Sequence, residues 1–123
     1  MVTKFKTKLE CALYIRKQVN MFFPLWQEVL FEYEGLPNGI MEVDYRCDNI
    51  IIQFQQDRGC LDFSVYKNHK QPLNLSWEKD VHQGIIKTIP DIDPEWYCTP
   101  CYELVDFYIN FLKERFDTFV WDE

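Results

Sequence analysis

Four short segments of alternating apolar and polar residues constrain the fold of this chain more than any other feature. They cover residues 27–34, 40–45, 49–56 and 60–66 of the 123 residues. Alternation at every second position predicts strands that each have one buried face and one wet face. The connections are short and contain turn residues at 35–39 and 57–59, so neighbouring strands are expected to run antiparallel. We therefore predict a four-stranded antiparallel meander.

Helical periodicity flanks this sheet on both sides. Apolar residues at steps of three and four predict a helix over 5–23, which Pro24 ends. A short helix is predicted at about 77–88, with Ser76 as its cap. A long final helix is predicted to begin near Thr99 or Pro100, because proline suits the first helical turn. These elements predict a single α+β domain over residues 1–123, with the first and last helices packed on one face of the sheet.

The parity of the strands predicts which side chains lie on the wet face. If Val29, Phe31 and Tyr33 point inward, the opposite parity forms an outer face with a strong acidic bias. Its predicted members are Glu28, Glu32, Glu34, Glu42, Asp44 and Asp62, with Gln53, Gln55, Ser64 and Tyr66. No base is predicted to share this parity, because Arg46 and Arg58 are placed in turns. Like charges opposite each other across strands are destabilising by up to about 1 kcal/mol. The face is therefore interpreted either as a biased solvated surface or as a docking surface for a basic partner.

A second acidic region precedes and enters the final helix. It combines carboxylates with aromatic side chains on a loop that Pro90 and Pro94 stiffen, and such rigid aromatic residues lose little entropy on binding. The predicted binding residues of this region are Asp91, Asp93, Glu95, Trp96, Tyr97, Glu103 and Asp106. In the alternative interpretation, Trp96 only fills the edge of the core.

The overall charge limits the classes of partner. The formal net charge is −7, and the first seventeen residues hold five of the thirteen bases. The molecule is therefore predicted to be a dipole with a basic first helix and an acidic body. Direct nucleic-acid binding is not expected, because it requires an electropositive surface. No apolar run approaches the roughly 18 residues of a membrane span, and no signal peptide is visible. With five cysteines and no disulfide-scaffold spacing, the expected compartment is the cytoplasm.

The string Cys98-Thr-Pro-Cys101 is the one segment typical of enzyme chemistry. With the preceding Trp-Tyr it resembles the active-site string of thioredoxins, and a thiol redox protein is the alternative function. The nearby acids would raise the pKa of a thiol rather than lower it, which favours structural cysteines. A zinc site would need further ligands, from the set Cys11, Cys47, Cys60, His69 and His82. No catalytic residue, metal or other cofactor is expected.

Residues 49–65 carry a resemblance to a known family. Their alternating strand, the Asp-Arg-Gly turn and the following Leu-Asp strand resemble small immunity proteins of bacterial polymorphic-toxin and contact-dependent growth inhibition systems. The order of elements and the Tyr-x-Leu-Val-x-Phe pattern at 102–107 are similar too. The resemblance implies a non-enzymatic cytoplasmic protein that binds one cognate toxin domain and blocks its active site. Many such toxins are basic nucleases, which agrees with the two acidic regions as candidate interfaces. Of the two, the sequence favours the region at 91–106, because it combines charge with Trp96 and Tyr97. An adaptor or dimer subunit is a further alternative.

Overall fold

The computed structural model describes residues 2–35, 39–57, 59–74 and 99–121. In chain order the elements are helix α1 (Lys8–Phe22), strands β1 (Gln27–Tyr33), β2 (Met41–Cys47), β3 (Ile50–Asp57) and β4 (Cys60–Lys67), helix α2 (Tyr102–Arg115) and a 3-10 turn (Phe116–Thr118). The strands pair antiparallel in the order β1-β2-β3-β4. The predicted α+β meander with two flanking helices is confirmed. The short helix predicted at 77–88 lies outside the described residues.

Helix α1 begins later than predicted because Thr7 caps it. The Thr7 backbone is extended, and its Oγ1 accepts a hydrogen bond from the Glu10 N–H at 3.0 Å. Such a cap satisfies one of the amide groups that the first helical turn leaves without a partner. The residues before the cap are extended instead: Lys4 forms an antiparallel bridge with Cys101. The predicted helix start at residue 5 is therefore wrong by three residues.

The same bridge explains why α2 begins at Tyr102 rather than at Thr99 or Pro100. The carbonyl of Pro100 accepts the Phe5 N–H at 3.2 Å, and Thr3 accepts the Tyr102 N–H at 2.9 Å. These pairings hold the backbone extended up to Cys101, which then occupies the N-cap position. Proline is favoured in a first helical turn, but here pairing with residues 3–5, almost a hundred positions away, keeps Pro100 outside the helix.

The core lies between the two helices and one face of the sheet. Strands β2, β3 and β4 bury alternate residues as predicted: Met41, Val43, Tyr45, Ile52, Phe54, Leu61, Phe63 and Val65. Helix α2 contributes Leu104, Val105, Tyr108, Ile109, Phe111 and Leu112, and α1 contributes Cys11, Ala12, Ile15 and Val19. Both buried tyrosine hydroxyls have acceptors: Tyr108 donates to the Leu61 carbonyl at 3.0 Å, and the Tyr45 hydroxyl lies 3.5 Å from Glu28 Oε1. No described helix has the length and apolarity that a membrane crossing requires.

Strand β1 departs from the predicted parity because it contains a bulge. The register shifts between Glu28 and Leu30, which leaves Val29 without an opposite residue. One extra residue reverses the alternation on one side of the bulge. Val29 is therefore 45% exposed rather than buried, and Glu28 lies opposite Tyr45 on the helix side. There Glu28 forms a 2.8 Å salt bridge with Arg16 of α1, so its predicted place on the outer face is wrong.

Candidate functional site

The outer face of the sheet, opposite the two described helices, brings together four predicted acidic residues. We define the acidic sheet face by two rows of directly opposed residues that cross all four strands. The first row is Glu32, Glu42, Gln55 and Asp62, and the second is Leu30, Asp44, Gln53 and Ser64. These rows contain four carboxylates and no base. The register thus places Glu32 directly opposite Glu42, an arrangement that is unfavourable without a cation.

Two glutamine side chains fix the Glu42 carboxylate. Gln53 Nε2 donates to Glu42 Oε2 at 3.1 Å, and Gln55 Nε2 lies 3.5 Å from Glu42 Oε1. Both glutamines lie on β3 and flank the Glu42 side chain from the neighbouring strand. The carboxylate is half-buried and held in one orientation. Its position is therefore set before any partner arrives, which lowers the entropic cost of binding.

Asp44 is the most perturbed carboxylate of this face. Its Oδ1 atom is shielded from solvent and has no hydrogen-bond partner among the described residues. The pKa of Asp44 is raised to about 7, chiefly by burial and then by the neighbouring Glu42 and Glu32, while a hydrogen bond with Gln53 opposes the rise. Strongly shifted carboxylates of this kind concentrate at functional sites, because stability alone does not favour them. An arriving cation would give Asp44 the partner that it lacks.

Arg46 corrects the prediction that no base shares the outer parity. Strand β2 continues to Cys47, so Arg46 lies within the strand on the same face as Asp44, and not in a turn. Its Nη2 donates to Gln27 Oε1 at 2.7 Å on the edge strand. Arg46 thus lies one row beyond the two rows of the acidic sheet face, and its guanidinium group is hydrogen-bonded to the edge strand β1.

The second predicted acidic region is only partly described. Asp91, Asp93, Glu95, Trp96 and Tyr97 lie outside the described residues. Its two remaining members lie on α2, away from the acidic sheet face.

Both of these α2 carboxylates hold parts of the fold together. Glu103 accepts the Thr3 N–H with both oxygens, at 2.8 and 3.0 Å. Burial acts to raise the pKa of Glu103, but backbone N–H groups, chiefly that of Thr3, hold it below its usual value. Asp106 accepts the Tyr14 hydroxyl at 2.6 Å, which joins α2 to α1. Glu34 follows the end of β1, where it is exposed and its backbone carbonyl accepts Lys8 Nζ at 3.2 Å.

The described cysteines are free thiols with raised pKa values where the shift is resolved. Cys101 is fully buried, and burial is the main cause that raises its pKa. Burial likewise raises the pKa of Cys11 to about 12, with a further contribution from Cys101. Cys98 and His82 lie outside the described residues. Within the described ranges, no group of three or more His, Cys, Asp or Glu side chains could hold a metal ion.

Sequence reasoning identified most of the acidic sheet face but missed two of its features. It did not predict the raised pKa of Asp44, although the Glu42-x-Asp44 spacing on one strand was an available signal. It also placed Arg46 in a turn.

The chain was compared with protein-family models, with curated proteins and with solved structures, and none of the three comparisons finds a significant match.

Proposed function

We propose that this protein is a bacterial immunity protein that binds a basic toxin domain, expected to be a nuclease, through the acidic sheet face. The observation that carries the proposal is the carboxylate of Asp44, which lies beside Glu42 and Glu32 and has one oxygen, Oδ1, without a hydrogen-bond partner among the described residues. In the free protein this arrangement costs stability. A cationic side chain of a partner, bound over Glu32, Glu42 and Asp44, would offset the repulsion among these carboxylates, so the cost is recovered on binding.

The chemistry of the face suits an arginine or lysine side chain. Glu42 presents a carboxylate that Gln53 and Gln55 hold in place, and Glu32 lies directly opposite it. Arginine forms bidentate hydrogen bonds with such planar carboxylates. A nuclease domain carries basic residues where it binds the phosphates of its substrate. The carboxylates of the acidic sheet face would bind to these basic residues in place of the phosphates. Binding would then block substrate access in the cytoplasm of the cell that produces both proteins.

The charge distribution of the chain supports the same class of partner. The net charge of −7 favours rapid association with a basic protein, because opposite fields steer the two molecules together. The residues that resemble immunity proteins, 49–65, include β3 and most of β4. These two strands provide half of the acidic sheet face.

The test is co-expression with the C-terminal domain encoded by the adjacent upstream reading frame. That domain should arrest growth when produced alone, and this protein should restore growth and form a complex with it. A domain that is harmless when produced alone, or growth arrest that this protein does not relieve, would contradict the proposal.

A matched pair of charge-reversal variants tests the surface. Glu32→Lys with Glu42→Lys keeps a like-charged pair at these opposed positions but inverts its sign. We expect this variant to bind the toxin domain at least tenfold more weakly, which corresponds to about 1.4 kcal/mol. The control, Glu114→Lys with Asp117→Lys, makes the same change in net charge at exposed positions on α2 and the 3-10 turn. Equal loss in both variants would mean that net charge, and not this face, determines affinity.

The second acidic region is tested in the same assay. Asp91→Lys, Asp93→Lys and Glu95→Lys, changed together, would weaken binding at least tenfold if that loop belongs to the interface. If this triple variant loses affinity while the sheet variant does not, the proposed surface is wrong and the loop is the interface.

A further inference from the structure

The lysines near the N-terminus line a cleft that the proposed function does not use. The cleft has a volume of about 830 Å³ and lies at the end of the sheet where β1 and β3 finish. We define the lysine cleft by Lys4, Lys6, Lys8, Phe5, Tyr33 and Gln56. Among the described residues that line it there are three lysines and one acid, Glu34. This is a local excess of positive charge on a protein of net charge −7.

We propose that the lysine cleft binds a small phosphorylated compound with a planar ring, such as a nucleotide. The lysines provide positive charge for the phosphate groups. Helix α1 begins at the same place, since Thr7 and Lys8 also line the cleft and the helix has 15 residues. The N-terminal end of a helix adds a partial positive charge and amide donors. The carboxylate of Glu10, in the first turn, accepts the Tyr102 hydroxyl at 2.9 Å.

Aromatic side chains give the cleft a surface for a ring. Tyr33 is 46% exposed at the end of β1 and lines the cleft. Phe5 is half-buried, and its ring centroid lies 4.2 Å from that of Tyr102, which holds it in place. Stacking on a π surface accepts any planar base. A volume of this size lies within the range of ordinary small-molecule sites.

Gln56 provides a polar group that still lacks a partner. It lies at the end of β3 between Met41 and Leu61, and within the part of the chain that the structure describes its solvent-shielded Oε1 atom has no hydrogen-bond partner. A buried amide oxygen without a donor is rare in native proteins and calls for an explanation. Gln56 lines the cleft, and rotation of its side chain toward the cleft would bring this oxygen within reach of a ribose hydroxyl or the amino group of a base.

Calorimetric titration of the purified protein with ADP, inorganic phosphate and adenosine tests the proposal. ADP should bind with a dissociation constant below about 1 mM and more tightly than either of its parts. The Lys4→Gln/Lys6→Gln variant, at two exposed positions, should bind ADP at least about tenfold more weakly. Lys17→Gln, an exposed lysine further along α1, should bind ADP like the wild type.

Three outcomes would overturn the proposal. In the first, ADP does not bind to the wild type. In the second, Lys17→Gln weakens ADP binding as much as the double variant does. In the third, ADP and phosphate bind with equal affinity, which would exclude a site for the ring. Tyr33→Leu keeps an apolar side chain at an exposed position and should weaken ADP binding but not phosphate binding. Toxin binding is a separate measurement and should be unaffected by the double lysine variant, so failure of one proposal leaves the other in place.

Discussion

Asp44→Asn should make the folded protein more stable at neutral and alkaline pH. The pKa of Asp44 is raised from an ordinary value near 4 to about 7 by burial and by the adjacent carboxylates. Between about pH 4 and pH 7 the folded protein therefore binds more protons at this site than the unfolded chain. Stability consequently falls as the pH rises through this window, and the cost is fully present above it.

The magnitude follows from the shift. Three pKa units correspond to about 4 kcal/mol as an upper limit, at about 1.36 kcal/mol per unit. Asp44 is only half-buried and solvent screens its neighbours, so we expect about 1–2 kcal/mol. Asparagine keeps the shape, removes the charge and adds a donor beside Glu42. For a domain of this size the gain corresponds to a rise in melting temperature of roughly 4–8 °C at pH 8.

The assay is thermal and urea unfolding of the wild type and the variant at pH 5 and pH 8. The free energy of unfolding of the variant should exceed that of the wild type at pH 8 and differ less from it at pH 5. The stability of the variant should therefore depend less on pH. Asp48→Asn is the matched control: it makes the same chemical change in the exposed turn after β2, at a φ of 55° that asparagine tolerates. A variant that is no more stable than the wild type at pH 8, or a control that gains equally, would refute the reasoning.

Three further predictions concern the fold. Thr7→Ala removes the hydroxyl that accepts the Glu10 N–H and should lower the free energy of unfolding by about 1 kcal/mol in urea titrations; an unchanged midpoint would show that the cap is dispensable. Phe63→Ala opens a cavity beneath the aromatic residues of α2 and should cost about 3–5 kcal/mol by the same measurement, whereas a loss below 1 kcal/mol would contradict its central place in the core. Cys11 and Cys101 are buried with raised pKa values, so iodoacetamide at pH 8 should modify them only after unfolding, as mass spectrometry can determine. Rapid modification of either one in the native protein would contradict this placement.

The parts of the fold that depend on local pattern could be predicted from the sequence. Alternation in β2, β3 and β4 predicts their inner residues, and the connection at 57–59 contains Gly59, whose φ is +78°. The parts that depend on distant pairing could not. The start of α1 follows a local signal that the prediction missed, the Thr7 cap, whereas the start of α2 is displaced by the bridge between Lys4 and Cys101. No local propensity contains that information.

The candidate site likewise has features that the local sequence pattern predicts and features that it does not. Strand parity placed Glu32, Glu42, Asp44 and Asp62 on one face correctly, since those positions follow from simple alternation. It misplaced Glu28 because a bulge is a property of a strand pair and not of one strand. The raised pKa of Asp44 depends first on its burial and then on how closely Glu42 and Glu32 approach it, and alternation alone fixes neither.

The bridge between Lys4 and Cys101 also has a consequence for the order of folding. The hairpins of the meander join residues that are close in sequence, so they can form early and rapidly. The segment before α1 cannot reach its final place until residues 99–103 have been synthesised, because the backbone of Thr3, Lys4 and Phe5 pairs with them. Until α2 docks, α1 covers only part of the apolar side of the sheet, and such exposed apolar surface favours aggregation of a nascent or truncated chain. Docking of α2 therefore fixes the N-terminal segment in place and completes the core in a single late step.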